Sequence, residues 1–597
     1  MKRIMIACLA ALAVFTSMST FSSCSEGKPD STELVVLFTT DVYGFILPYD
    51  FQTNDSTRAG VANFATLVKE QRAIYGDRCI VLDNGNKLPG GPASFYYNIV
   101  DTLSEPLCYR GERLIGYDAV NLGNRDPEVS ECFKNQRHDP STLPPVLCAN
   151  LIDTRTGEPY LKPYEILDRD GLKIAIIGFV SPLLTSWLST SEWNFLEPQD
   201  MIESATYWMK EIQQKHKPDV VIALCSCNIN YDLYGRTMDT YKNPNGGIPI
   251  GIRVPGFDLV LMGCGRDRTV IESTNDAGKH VTFIQSGRSN THVGQARIQL
   301  DKQKDGTYQK RIFATTLDLK QFQPDEEFCR ALQPAHDSIY SWFNNPVGFL
   351  CDSVIGEKGL YGPDFYRDLL NSAQLWWSGA DISFAPLLMP DSHLESGPLS
   401  MKSIFRLYPF EHEPKMLRMN GEDVRRFLEW SISLQYETMK SAKDQMIRLK
   451  KDPHGHIIYR EDGAPLLAND PTYFTAAGGI HYTVNLRKPQ GQRVEITTMT
   501  DGTPFDPRKE YTVILNSYQF HDGGKYISEA LRWDDITLSM HEVPTPFTSM
   551  RQVMFEYVQH IDTIRFSYRY EWGFEPKMWW VEAKLREQDI TPQPRWN

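Results

Sequence analysis

The sequence predicts an α/β domain followed by an α+β domain, on three observations. From Glu33 to about residue 325, short apolar runs rich in Val and Ile alternate with amphipathic stretches. Each run closes on Gly, Asn, Asp or Ser, as a buried strand leading into a loop does. Beyond the Asn345-Pro346 break that alternation stops, and helical and strand-like segments follow in no regular order.

The elements follow in chain order. Lys2 and Arg3 precede an apolar run from Ile4 to Met18, and small residues then lead to Cys24. A basic start, a short apolar run and a small-residue end describe an export signal over residues 1–23. Phe21-Ser22-Ser23 before Cys24 is similar to a bacterial lipobox, in which Cys24 becomes the lipidated first residue and residues 24–32 a tether. The expected location is the bacterial cell envelope, with a lipid anchor as the only membrane attachment. No later run reaches the roughly 18 apolar residues a membrane span needs.

Residues 34–39, 79–82, 173–179, 219–224 and 257–262 read as strands, and 59–74 and 201–216 as helices, within a domain over 33–322. Ligand sites in such domains lie at the carboxyl ends of the strands. A charged amphipathic stretch over 323–349 reads as a linking helix. In the second domain, over 350–597, residues 362–378 and 423–434 read as helices, 494–498 and 511–515 as strands, and the polar 440–470 segment as a surface excursion.

A formal net charge of −13 argues against a nucleic-acid polymer as partner, because an acidic chain is poorly suited to release its counterions. The eleven cysteines are scattered over a large chain, which does not read as a disulfide framework.

Five strand-end segments carry the chemistry. They are Thr40-Asp41-Val42-Tyr43-Gly44, Asp83-Asn84-Gly85-Asn86-Lys87, Gly123-Asn124-Arg125-Asp126, Leu224-Cys225-Ser226-Cys227 and Gly263-Cys264-Gly265-Arg266. In order, spacing and flanking strands they resemble the metallophosphoesterase domain of the 5′-nucleotidase and 2′,3′-cyclic-nucleotide phosphodiesterase family. The resemblance implies a four-layer α/β sandwich followed by an α+β 5′-nucleotidase C-terminal domain. It also implies two divalent metal ions that share an activated water and clamp phosphate oxygens.

In that family the segments read D-x-H, G-D, G-N-H-D, a lone His, and G-H-x-H. Here Asp41 and Asn124 match metal ligands, while Tyr43, Asn86, Ser226, Cys264 and Arg266 stand where the other five would be. Arg125 replaces the catalytic His, and its partner Asp126 remains. Hard divalent ions take oxygen and imidazole donors, so the expectation is that no metal binds at Asp41 and Asn124 and that the chain needs no cofactor. The guanidinium groups of Arg125 and Arg266 are expected to pair with Asp41 and Asp126. A new zinc site using Asp41 and Cys225, Cys227 or Cys264 is the alternative.

From about residue 350 the resemblance continues through Leu407-Tyr408-Pro409-Phe410-Glu411-His412, Met419-Asn420-Gly421 and Asn516-Ser517-Tyr518. It implies that Phe410 and Tyr518 sandwich a nucleoside base, with His412 and Asp522 around it; Tyr96, Tyr97 and Asn98 line the cleft wall of the first domain. The functional expectation is a catalytically impaired pseudoenzyme that binds a nucleoside or nucleotide, with a protein partner left open. The alternatives are an active metal-dependent phosphoester hydrolase of nucleotide catabolism and a scaffold that binds nothing.

Overall fold

The computed structural model describes residues 30–587 and 590, apart from 58, 129–141, 187–192, 230–241, 288–290, 391–392, 461–462, 547 and 567–570. The export signal and Cys24 lie outside the described residues. No helix among the described residues is long and apolar enough to cross a membrane.

In chain order the first half supplies β1 (Ser31–Thr39), β2 (Cys79–Asp83), β3 (Ala119–Asn121), β4 (Val146–Leu147), β5 (Tyr164–Arg169) and β6 (Leu172–Val180). It continues with β7 (Val220–Ser226), β8 (Leu259–Met262), β9 (Arg268–Thr274), β10 (His280–Ser286), β11 (His292–Lys302) and β12 (Tyr308–Asp318). Two six-stranded sheets result, ordered β12-β11-β1-β2-β3-β4 and β9-β10-β8-β7-β6-β5.

Period-two alternation sets the layers. Leu34, Val36 and Phe38 of β1 point into a core shared with Ile174 and Ile176 of β6 and Ile222 and Leu224 of β7, so the sheets pack face to face. Val35 and Leu37 point outward, onto Phe64, Leu67 and Val68 of α1 (Val61–Tyr75). On the far side Ala175, Ile177 and Phe179 meet Met201, Ala205, Met209 and Ile212 of α2 (Met201–Lys215). The order helix, sheet, sheet, helix is the four-layer sandwich. Because the strands are apolar on both faces, they read as continuous runs in the sequence.

The sheets are pinned together at their carboxyl ends. Asn121 Nδ2 donates to Asn84 Oδ1 at 3.0 Å and to the Phe179 carbonyl at 2.9 Å, and Asn84 Nδ2 donates to the Cys225 carbonyl at 3.0 Å. These bonds tie the loops after β2, β3, β6 and β7 to one site.

Asp325 caps α3 (Glu326–Asn344), accepting from the Phe328 N–H at 2.8 Å. Phe328, Leu332, Ala335, Ile339 and Phe343 form its buried stripe, and Pro346 prevents its continuation. Beyond it a five-stranded sheet is flanked by α4 (Phe365–Ser378) and α5 (Gly421–Gln435). A three-stranded sheet lies beside it.

The halves meet through aromatic rings. Phe95 from the first stacks on Trp342 of α3 at 5.9 Å and meets Phe405 of the second edge-on at 5.5 Å; the buried Arg551 guanidinium lies 3.9 Å over Phe405.

The 440–470 segment is only partly the surface excursion its polarity suggests. Met446 and Ile447 are buried, and their N–H groups donate to the Glu587 carboxylate at 2.8 and 2.9 Å. The distal part forms short antiparallel bridges, Lys451 with Ile457 and Tyr459 with Pro465. Its anchor comes from a helix more than 100 residues away, which no local pattern reveals.

Candidate functional site

The five strand-end loops converge. Gly85 and Gly123 pack backbone to backbone: a Cβ on Gly85, whose φ is +88°, would lie 2.3 Å from the Gly123 nitrogen. A Cβ on Gly123 would lie 2.0 Å from the Asn86 nitrogen. This close approach sets Asn86 against Asn124. Asp41, Tyr43, Asn86 and Cys264 all take positive φ, between 46° and 61°. Such left-handed backbone costs about 1–3 kcal/mol per residue and gathers at functional sites.

The side chains brought together hydrogen-bond to one another. Asn86 Nδ2 donates to Asp41 Oδ1 at 2.8 Å and to Asn124 Oδ1 at 2.9 Å. Asp41 Oδ2 accepts from the Cys264 N–H at 2.7 Å and from Thr40 Oγ1 at 3.0 Å. Cys264 Sγ lies 3.2 Å from Asn124 Oδ1 and 3.4 Å from Ser226 Oγ. Four of the positions singled out as metal ligands, Asp41, Asn86, Asn124 and Cys264, thus form one closed network with Ser226 at its edge. Burial raises the Asp41 carboxyl and the Cys264 thiol above their ordinary pKa ranges, so the thiol is no ready nucleophile.

The expected arginine pairing is not what the carboxylates adopt. Asp126 Oδ2 accepts from the N–H groups of Gly123 at 2.8 Å and Asn86 at 3.0 Å, and Oδ1 from those of Lys87 at 2.9 Å and Leu88 at 3.0 Å. Four backbone donors satisfy it, and it serves as a buried clasp between two loops rather than as a partner of Arg125. Arg266 is exposed at the surface. Lys87, whose N–H is one of these donors, directs its side chain into a buried ion pair with Glu112. A zinc site that includes Cys225 or Cys227 is also not formed, because both thiols pack into the outer core around Met262 and Phe257 while Ser226 faces the loops.

Arg125 instead faces the second half. With Phe95, Asn98 and Ile99 it lines one wall of a cavity of ≈ 220 Å³; His412, Ser517, Tyr518, His521 and Ser549 line the other. Of the two rings expected to hold a base, Tyr518 lines the cavity, whereas Phe410 is not among the lining residues and lies against His412. Phe410 and His412 lie parallel within 3°, with centroids 5.3 Å apart, and His412 and Tyr518 within 20°, 5.8 Å apart. His412 Nδ1 lies 2.9 Å from the Tyr408 hydroxyl. Enclosure first, and then the Arg551 and Arg125 guanidinium groups, push its pKa down to about 3, so the ring is neutral.

Asp522 does not reach the cavity. Its carboxylate accepts from the Ile527 and Ser528 N–H groups at 2.9 Å, capping the following turn, and His521 takes its place on the wall. Asn98 lines the cavity as expected, whereas Tyr97 is buried beneath the Arg110 guanidinium. Sequence reasoning missed Ser549, whose hydroxyl caps α6 (Met550–Ile561), the Gln552 N–H lying 3.2 Å away. Thr548-Ser549 before an amphipathic run is a helix-start signal that could have marked this loop.

Three comparisons bear on this site. Residues 361–530 match the 5′-nucleotidase, C-terminal domain family. The chain is 22% identical over 560 residues to a 2′,3′-cyclic-nucleotide 2′-phosphodiesterase/3′-nucleotidase of Salmonella typhimurium, covering 83% of this chain and 82% of that protein. It is 24% identical to Protein UshA of Escherichia coli, over 70% of this chain and 80% of that one. Among solved structures, a putative 5′-nucleotidase from Staphylococcus aureus superposes with a TM-score of 0.65 at 19% identity, covering 91% of this chain and all of the other.

These matches overturn the expectation that the chain needs no cofactor. The relatives are phosphoesterases of a family that works with divalent metal ions, so a divalent metal is the group the family implies here. The donors, as they are arranged, do not fit a pair of such ions. Asp41 and the Asn124 carbonyl supply oxygen, but one amide N–H₂ group is directed at both. Among the described residues, no group of three or more His, Cys, Asp or Glu side chains gathers to hold a metal.

Proposed function

We propose that this chain, a member of the metallophosphoesterase/5′-nucleotidase family, is a catalytically impaired envelope lipoprotein that binds a nucleoside or nucleotide between its halves. The observation that carries the reading is the closed network of Asp41, Asn86, Asn124 and Cys264. Groups that must converge on metal and phosphate are committed to one another. The adjoining cavity offers a planar base with an anionic end aromatic rings at one side, hydroxyls along the wall and the Arg125 guanidinium opposite, while its two carboxylates, Glu411 and Glu413, are paired with Arg551 and Lys415.

Calorimetry with adenosine and AMP, divalent metal present, tests this. Phe410→Ala should weaken both ligands about tenfold, the scale of one base–aromatic stack. Arg125→Ala should weaken AMP about tenfold and leave adenosine within about twofold, as loss of a charge-assisted phosphate contact does. Binding of neither ligand to the native protein would refute the reading.

One observation favours a second reading, an active metal-dependent hydrolase. The four left-handed residues at Asp41, Tyr43, Asn86 and Cys264 hold strain of the kind catalytic loops hold. It predicts chelator-sensitive release of phosphate that Asp41→Ala abolishes.

A further inference from the structure

We propose that the His412 imidazole is a resident occupant of the base slot, the ring a nucleoside must displace in order to bind. This rests on the nucleoside-binding reading above and goes beyond it, because it makes His412 a competitor of the ligand rather than a contact to it.

The slot is built for one flat ring. Phe410 lies parallel to the imidazole within 3°, and Tyr518 within 20°. Tyr408 closes a third side edge-on, at 88° and 5.7 Å. The Tyr518 ring, 41% exposed, rests partly on Gly523, where a Cβ would lie 2.3 Å from Cε1. A base that stacks on the part of Tyr518 facing His412 has to take the imidazole's place.

One nitrogen of the imidazole has a partner within the protein. Nδ1 is 2.9 Å from the Tyr408 hydroxyl, and the residue's backbone is held by the Met550 N–H, which donates to the His412 carbonyl at 2.8 Å. The main chain is fixed while the side chain is attached by two rotatable bonds, so the ring alone has to move. Leaving the stack would bring it to the cavity, which His412 already lines. A site whose competent state is the displaced one binds with an affinity lowered by the fraction of molecules in that state.

The test is calorimetry of adenosine with the native chain and with His412→Asn and His412→Ala, each first shown to be folded by thermal melting. His412→Asn should bind adenosine about tenfold tighter than the native protein, as removal of a competitor present in about nine molecules of ten requires. With His412→Ala, added imidazole should refill the slot and weaken adenosine binding, and it should leave the native protein unaffected. If the variants fail to fold, the native protein carries the test by carbon–proton spectroscopy of its histidine rings. The His412 resonance, shifted by ring currents from its two neighbours, should move on saturation with adenosine. Weaker binding by His412→Asn, or a His412 resonance unmoved in the adenosine complex, overturns the proposal and makes His412 a ligand contact. Absence of adenosine binding in native and variant chains alike refutes the nucleoside reading itself, and the proposal with it.

Discussion

Asp126→Ala should destabilise the first half of the chain by about 3–5 kcal/mol, the range seen when a buried charge's partners lose it. The carboxylate is 2% exposed and takes four backbone N–H groups, from Asn86, Lys87, Leu88 and Gly123. Without it those donors are buried with no acceptor, and the approach of Gly85 to Gly123 has no clasp. Asp126→Asn should be nearly as damaging, since an amide presents one nitrogen donor to backbone donors. Urea denaturation followed by tryptophan fluorescence measures both. A residue serving only as orienter of a catalytic base would behave differently, leaving stability unchanged when substituted. Equal midpoints for native and Asp126→Asn would therefore contradict the structural role.

Asn86→Asp has the second-largest expected effect, and its sign depends on metal. The amide nitrogen lies 2.8 Å from Asp41 Oδ1 and 2.9 Å from Asn124 Oδ1. A carboxylate there replaces an attractive donor with a like charge beside a buried Asp41 and faces a carbonyl oxygen. Two carboxylates at that separation cannot both ionise without a cation between them. In chelator the variant should lose about 2–4 kcal/mol, by analogy with other unpaired buried charges. Millimolar Mn²⁺ should restore more stability to the variant than it adds to the native chain, because a ligand that binds only the folded state stabilises it. A variant as stable as the native protein in chelator would show that the Asn86 amide is not what holds Asp41 and Asn124.

The fold was legible for a physical reason. Strands buried on both faces, such as Val220–Ser226 and Leu259–Met262, are continuous apolar runs, and their loops carry the motif spacings. Residues 59–74 and 201–216 were readable as helices because one apolar stripe faces each sheet. The convergence of Asp41, Asn86, Asn124 and Cys264 was likewise legible from strand-end position.

What the sequence could not supply was the choice of partners. A carboxylate next to Arg125 in the sequence reads as half of an ion pair, yet Asp126 turns to four N–H groups. Three of them belong to a loop some 40 residues earlier. The place of His412 had no local signal, because Phe410 and His412 lie in the irregular loop before the Pro414–Asn420 strand, where their rings come parallel within 3°. Asp522 and His521 exchanged roles because a left-handed turn at Asp522, with φ +64°, aims its side chain at the next helical turn.

Asn86 places an amide donor between Asp41 and Asn124 at the centre of the strand-end loops. Under the function proposed above, recognition falls to the cavity beside it. The strained loops and the glycine contact that shape this centre lie around it.

One sample measured two ways decides between binding and catalysis. Purified protein in Mn²⁺ is titrated with AMP by calorimetry, and the same sample is assayed for released phosphate. The expected result is saturable binding near one AMP per chain, with phosphate release no greater than that of Asp41→Ala. Chelator-sensitive release that multiplies over many turnovers and disappears in Asp41→Ala would contradict the account.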